Sequence, residues 1–288
     1  MNKILLPIDF PTTSLGVAHQ AVFLARHSHS EIILLHVVTP LSYPAGLLES
    51  GHQITAENLH AQIVQQAQKN LDQALQQELS GIAVTRILLR GDPAHEIVET
   101  GRDRGVDLIM MSTRGAGALY RFLLGSVAAK VLHNSDCPAW IVPHLEETPA
   151  CDFAIRNVLC AVDLSPHSHN TVSRAAQLAA EFDARLTLVH VTAGVEIYGP
   201  GGPHVLPEWK KELFGYATKE IAKLQQDLGT KADVIIDSGD VHELLNRAAE
   251  HAKADLLVIG HLPPGGHLGA NGCGYALIRE SRIPVLSL

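Results

Sequence analysis

Two glycine-bearing turns stand in residues 112–130, STRGAGALYRFLLGSVAAK, directly after the apolar run 108–111. Gly115 lets backbone amides approach an anion with no Cβ in the way. Gly125 and Ser126 open a helix, with Val127 in its first turn, and bring unpaired N–H groups, a hydroxyl and the positive helix end to the same place. The chemistry this spacing suits is a phosphate cradle. Arg114 and Arg121 flank the loop and can reach phosphates, although a solvated position reads equally well for each. Asp9, which closes the run NKILLPIDF, would be repelled by phosphates and suits the nucleoside part of a ligand instead.

For these residues to meet, they must lie beyond the carboxyl ends of neighbouring strands in an open parallel sheet. The sequence predicts that order: strand 3–8, helix 14–27, strand 31–38, a long helix 55–79, strand 83–89, helix 94–104, strand 108–111, helix 126–133 and strand 139–142. The strands are continuous Ile, Leu and Val runs, as in a parallel sheet covered on both faces. Thr12, Thr13 and Ser14 offer N-caps to the first helix, and Asp92-Pro93 places a capping acid before a proline at the first helical position. Gly81 and Gly105 sit where helix ends call for a left-handed residue. Asp9, Val37 and the turn from Ser112 to Gly115 would then gather along one sheet edge.

The same pattern occurs twice. NKILLPIDF returns as NVLCAVDL from Asn157, ILLHVV from Ile33 as TLVHVT from Thr187, and RGDPAHEIVETGRDRGVDLIMM from Arg90 as SGDVHELLNRAAEHAKADLLVI from Ser238. The offset is 154 at Asp9/Asp163 and His36/His190 and 148 at Gly91/Gly239, so only short loop deletions separate the halves. The fold class expected is α/β, two repeated doubly wound parallel-sheet domains at 1–146 and 155–288. The polar stretch 144–154, with Pro149, is the linker.

The first half resembles the universal stress protein family, whose signature after the fourth strand is G-x2-G-x9-G-[S/T]. Ser112-x2-Gly115-x9-Gly125-Ser126 fits it with Ser112 in place of the first glycine. LPIDF, LLHVV, GDPAHEIV, DLIMMSTRG and DCPAWIV extend the likeness over essentially the whole half. The resemblance implies the family's adenine nucleotide alpha hydrolase-like fold and ATP binding, with Mg²⁺ a candidate companion of the phosphates. By position it implies a nucleotide-binding set of Asp9, Val37, Ser112, Arg114, Gly115, Gly125, Ser126 and Val127. Single domains of the family pair through their last strands, so the resemblance implies that 139–142 and 284–287 pair within one chain; a homodimer of the tandem chain is expected in addition.

The second half departs at the loop. Asp163 and Gly260 keep the first-strand acid and the first glycine, but Pro263 replaces the second glycine, Pro264 follows, and HLGANG stands for LYRFLL. Proline removes an amide donor, so this counterpart is a degenerate nucleotide site that has lost ATP or takes another ligand.

A net charge of -8 without a basic run speaks against a nucleic-acid partner. No apolar segment reaches the roughly 18 to 20 residues of a membrane span, and the opening MNKILLPIDF is too short and interrupted for a signal peptide. A cytoplasmic protein is expected. The four cysteines pair in no C-x-x-C and read as buried or incidental thiols. Among 17 histidines, His167, His169, His204, His242, His261 and His267, with Cys273, are open to a zinc reading, but their spacing matches no closed motif and solvated loop histidines are favoured. His36 and His190 read as satisfied core histidines. No triad elbow, Walker lysine or carboxylate pair is present. The function expected is an ATP-binding stress-response or regulatory protein, its nucleotide held mainly by the first domain. Two alternatives stay open: a slow ATP hydrolase using the same site, and a vestigial site with a metal or other small-ligand pocket in the second domain.

Overall fold

The computed structural model describes residues 1–10, 15–40, 53–113, 124–143, 153–192, 197–199, 202–204, 207–260 and 273–288. The chain divides into two units, Met1–Phe153 and Ala154–Leu288. The first runs β1 (Lys3–Pro7), α1 (Leu15–Ser28), β2 (Glu31–Val38), α2 (Gln53–Gln73), β3 (Val84–Arg90), α3 (Pro93–Asp103), β4 (Leu108–Ser112), α4 (Ser126–Asn134) and β5 (Ala139–Val142). The second runs β6 (Asn157–Ala161), α5 (Ser168–Glu181), β7 (Arg185–Thr192), β8 (Ile197–Gly199), β9 (Gly202–His204), α6 (Pro207–Leu228), β10 (Asp233–Ser238), α7 (Val241–Ala252), β11 (Leu256–Ile259), α8 (Cys273–Glu280) and β12 (Val285–Ser287).

In the first unit the strand order is β5-β4-β1-β2-β3, and in the second β12-β11-β6-β7-β10, with parallel pairing within each set. Both units are therefore the doubly wound α/β fold that the repeat predicts. Connections leave β1 toward β2 on one side and return to β4 on the other, so the order reverses between β1 and β4. In the second unit it reverses between β6 and β11. In the second unit the antiparallel pair β8 and β9 stands between β7 and α6.

The central strands are dry, which is why their sequences are unbroken apolar runs. Ile4, Leu5, Leu6, Ile32, Leu34, Leu35, Ile109 and Ile141 are all buried, and Trp140 beside them satisfies its one donor by giving Nε1–H to Gln20 Oε1 at 2.7 Å. Phe153 packs edge-on against Phe23, centroids 5.2 Å apart. Residues 144–152 of the expected linker and the N-cap candidates Thr12, Thr13 and Ser14 lie outside the described residues.

One helix ends earlier than its sequence predicts. The apolar periodicity runs to Leu79, but α2 stops at Gln73 and Leu75 takes a left-handed φ of 52°. The cause is tertiary: Arg86, projecting from β3, donates Nε–H to Leu71 O at 2.9 Å and Nη2–H to Ala74 O at 2.8 Å, while Leu71 O takes only a tighter turn bond from Ala74 N–H at 3.3 Å. Gly81 and Gly105 do adopt left-handed φ, 79° and 58°.

Candidate functional site

The C-terminal ends of β4, β1 and β2 form one edge, at which Asp9, Val37 and Ser112 stand. Pairing places Pro7 opposite Leu35 and Leu5 opposite Ile109. Continued past the strand ends, that register sets Asp9 level with Val37 on one side and with Thr113 on the other. Val37 is the penultimate residue of β2, paired with Leu89, and so lies inside the strand and not beyond it. Asp9 is exposed at the reversal of strand order.

The turn that carries Asp9 is held from below. Ile8 N–H donates to Leu35 O at 2.8 Å, and His36 Nδ1 lies 2.9 Å from Ile8 O. Because a carbonyl only accepts, Nδ1 carries the proton and His36 is a donor here. Phe10 covers the same ring, centroids 4.6 Å apart. The expectation of a satisfied histidine holds, and the second unit repeats it with His190 Nδ1 2.7 Å from Val162 O.

Across the crevice, Thr113 joins β4 to α4. Its N–H donates to Val142 O at 3.0 Å, and its carbonyl accepts from Gly125 N–H at 2.7 Å. The sequence reading counts Gly125 among the amides free for an anion; this bond shows that it is already used. Among the described residues the open amides of α4 begin instead at Ser126, because the first bond of the helical ladder is Ala129 N–H to Gly125 O at 2.9 Å. Ser126 is exposed and Val127 half-buried, while Ala128 is buried. A helix end at an exposed position favours an anion by only about 0.3–1 kcal/mol, so the amides of Ser126 and Val127 have to act with further donors. Ser112, half-buried, ends β4 opposite Val142. Arg114, Gly115 and Arg121 lie outside the described residues.

The neighbouring helix is tied to this edge. Asp92 caps α3 by accepting from His95 N–H at 3.1 Å, and Lys130 of α4 reaches Asp92 Oδ2 at 3.3 Å. His95 contributes first and Lys130 second to holding the Asp92 carboxyl below its ordinary pKa. Both side chains are exposed, so the pair orients more than it stabilises.

The second unit treats its acid differently. Asp163 Oδ1 accepts from Ser168 Oγ–H at 2.6 Å and from Ser165 N–H at 3.0 Å. Burial raises its pKa, but these hydrogen bonds outweigh it and leave the carboxyl below the usual range. One oxygen of the carboxylate is thus engaged in closing its own turn. Gly260 directly follows β11, and a Cβ there would stand 3.2 Å from Thr171 Oγ1. Pro263, Pro264, Asn271 and Gly272 are outside the described residues.

Thr113, Ser165 and Ser168 were missed in the sequence. The D-x-S-x-x-S spacing at 163–168 is a readable signal of local side-chain capping; Thr113 carries no such signal, because its partners are 12 and 29 residues away. Among the described residues no three His, Cys, Asp or Glu side chains gather to hold a metal. His261 and His267 are not described. Also among the described residues, no helix is long and apolar enough to cross a membrane.

The sequence profile of the Universal stress protein family matches residues 1–143 and again 154–287, and the chain belongs to that family. A universal stress protein of Mycolicibacterium smegmatis is 29% identical over 278 residues, covering 92% of this chain and 89% of its own. One from Methanocaldococcus jannaschii is 33% identical over 141 residues, 49% of this chain and 81% of its own. The crystal structure of a universal stress protein from Archaeoglobus fulgidus shares the fold over 99% of this chain and 97% of that one, with a TM-score of 0.64 at 23% identity.

Proposed function

We propose that this protein is an adenine-nucleotide-binding stress-response or regulatory module whose ATP site lies in the first domain, 1–146. The observation that carries the reading is the Thr113 O to Gly125 N–H bond of 2.7 Å. It fastens the open end of α4 to the end of β4, at the reversal of strand order beside Asp9. The donor set suits the ligand's two ends: the Ser126 and Val127 amides and the α4 dipole face anionic phosphates, and the exposed Asp9 is an acceptor for hydroxyls. Ser112, Arg114 and Gly115 belong to the same phosphate-side set by their place in the motif, and Val37 to the nucleoside side by register. Mg²⁺ enters with the triphosphate as its counter-ion.

The counterpart in the second domain, 155–288, is a degenerate site. Asp163 is engaged by Ser165 and Ser168, and Pro263 stands where the first domain has its second loop glycine, with Pro264 after it. A cytoplasmic homodimer is part of the same reading.

Calorimetric titration of the full chain with Mg-ATP tests it. One saturable site per chain is expected, lost in Asp9→Ala and kept in Asp163→Ala. No heat at millimolar Mg-ATP overturns the proposal, and rapid multiple turnovers dependent on Asp9 would replace it with a hydrolase.

A further inference from the structure

The opposite edge of the second sheet, where β7 and β10 begin, carries a cleft of about 420 Å³. That volume falls within the usual range of small-molecule pockets. Ala176, Ala179 and Ala180 of α5, with Ala184, line it on one side, and the turn from Thr230 to Asp233 on the other.

The internal repeat shows how the cleft arises. In the first unit Val22 and Arg26 stand where the second has Ala176 and Ala180, and Ile82 stands where it has Thr230. Val22 is buried there, and Arg26 stretches across to the turn before β3, its Nη2 at 3.4 Å from Ser80 O. Replacing a valine and an arginine by alanines withdraws both fillers.

The far wall is built rather than slack. Gly229 takes a left-handed φ of 64°. Thr230 N–H donates to Gln225 O at 3.0 Å, Gly229 N–H to Gln226 O at 3.3 Å, and Ala232 N–H to Gln225 Oε1 at 2.6 Å. This closure of the α6 C-terminus fixes Thr230, whose Oγ1 is buried with no hydrogen-bond partner among the described residues. Burying a bare hydroxyl is costly, whereas a valine of the same shape costs nothing comparable. Arg185, Lys231 and Asp233 also line the cleft, and among the described residues none of them has an ion-pair partner.

We propose that this cleft binds a small aliphatic monocarboxylate. The alanines receive the apolar body, Arg185 and Lys231 hold the carboxylate, and the Thr230 hydroxyl, turned about χ1 from its buried position, donates to it. Asp233 beside the two cations leaves a single net positive charge, which suits a monoanion over a dianion or a phosphate. The inference concerns the other strand ends of the other unit and does not rest on the nucleotide reading.

Amide NMR of the full chain with hexanoate, hexanol and hexylammonium as probes tests it. Hexanoate should give saturable shifts at Ala184 and Lys231 and bind about tenfold more tightly than hexanol, the increment of one charge-assisted contact. Ala180→Arg, which restores the filler of the first unit, should weaken hexanoate about tenfold or more. Thr230→Val keeps the shape and decides the matter if Ala180→Arg fails to fold: it should raise the melting temperature yet weaken hexanoate several-fold. No saturable shift with hexanoate at millimolar concentration, equal or tighter binding of hexanol or hexylammonium, or undiminished binding in Thr230→Val overturns the proposal.

Discussion

His36 donates from Nδ1 to the carbonyl of Ile8 at 2.9 Å, and the matching His190 lies 2.7 Å from the carbonyl of Val162. Each histidine thus fixes the residue one before an acidic side chain at the sheet edge. Its role is to position a turn, and the repeat of the bond in both units is what a structural role requires.

His36→Phe should therefore cost about 1–3 kcal/mol, because Ile8 O is left without its donor in a buried place. The aromatic contact with Phe10 would survive. Chemical denaturation measures the loss, and ¹⁵N NMR of the imidazole should show the Nδ1–H tautomer. The Nε2–H tautomer would contradict the assignment.

Gly125→Val separates a ligand clash from backbone damage. Gly125 has φ -60° and ψ 147°, a region open to any residue, so valine should leave the fold intact, with a stability change within about 1 kcal/mol. Nucleotide affinity should nevertheless fall by at least about tenfold, since the new side chain stands at the start of the amide row. Unchanged affinity in a folded variant would remove α4 from the site.

The acid limb of stability should depend on Asp107 and Asp163. Burial raises both pKa values, but hydrogen bonds to Asp107 from the Asn2 and Lys3 amides, and to Asp163 from Ser168 and Ser165, leave each below its ordinary value. A depressed folded pKa stabilises above the unfolded value of about 3.9 and is lost as pH falls through the folded one. Asp107→Asn and Asp163→Asn should each lower stability by about 1 kcal/mol near neutral pH and flatten its decline on acidification. A decline as steep as the wild type's would show that these carboxyls do not carry it.

Two thiols should be inert. Burial, assisted by the nearby Asp107, pushes Cys137 up to about 11, and burial pushes Cys160 up to about 12. Neither forms a thiolate at pH 8 to any useful extent. Mass spectrometry after iodoacetamide treatment should find both unmodified in the native protein and modified once it is unfolded. Native labelling of Cys160 would mean that β6 opens readily.

What could be read in the residues was what repeats locally. The apolar runs of β1, β2, β4 and β5 marked their own strands, and Asp92-Pro93 marked its own cap. The early end of α2 was hidden because its cause, Arg86, is 15 residues from Leu71. The engaged Gly125 amide was hidden for the same reason, its acceptor Thr113 having no special composition. At the candidate site, residue types announced the chemistry, while long-range hydrogen bonds decided which amides remain for a ligand.

The carboxylate of Asp107 takes the amides of Asn2 and Lys3, and that of Asp255 takes those of Arg156 and Asn157. Each half buckles the beginning of its first strand with an acid from its own fourth. A half repeated in tandem therefore carries its fastening with it, while the two copies differ at the edge that bears Asp9 and Asp163 and at the alanine cleft.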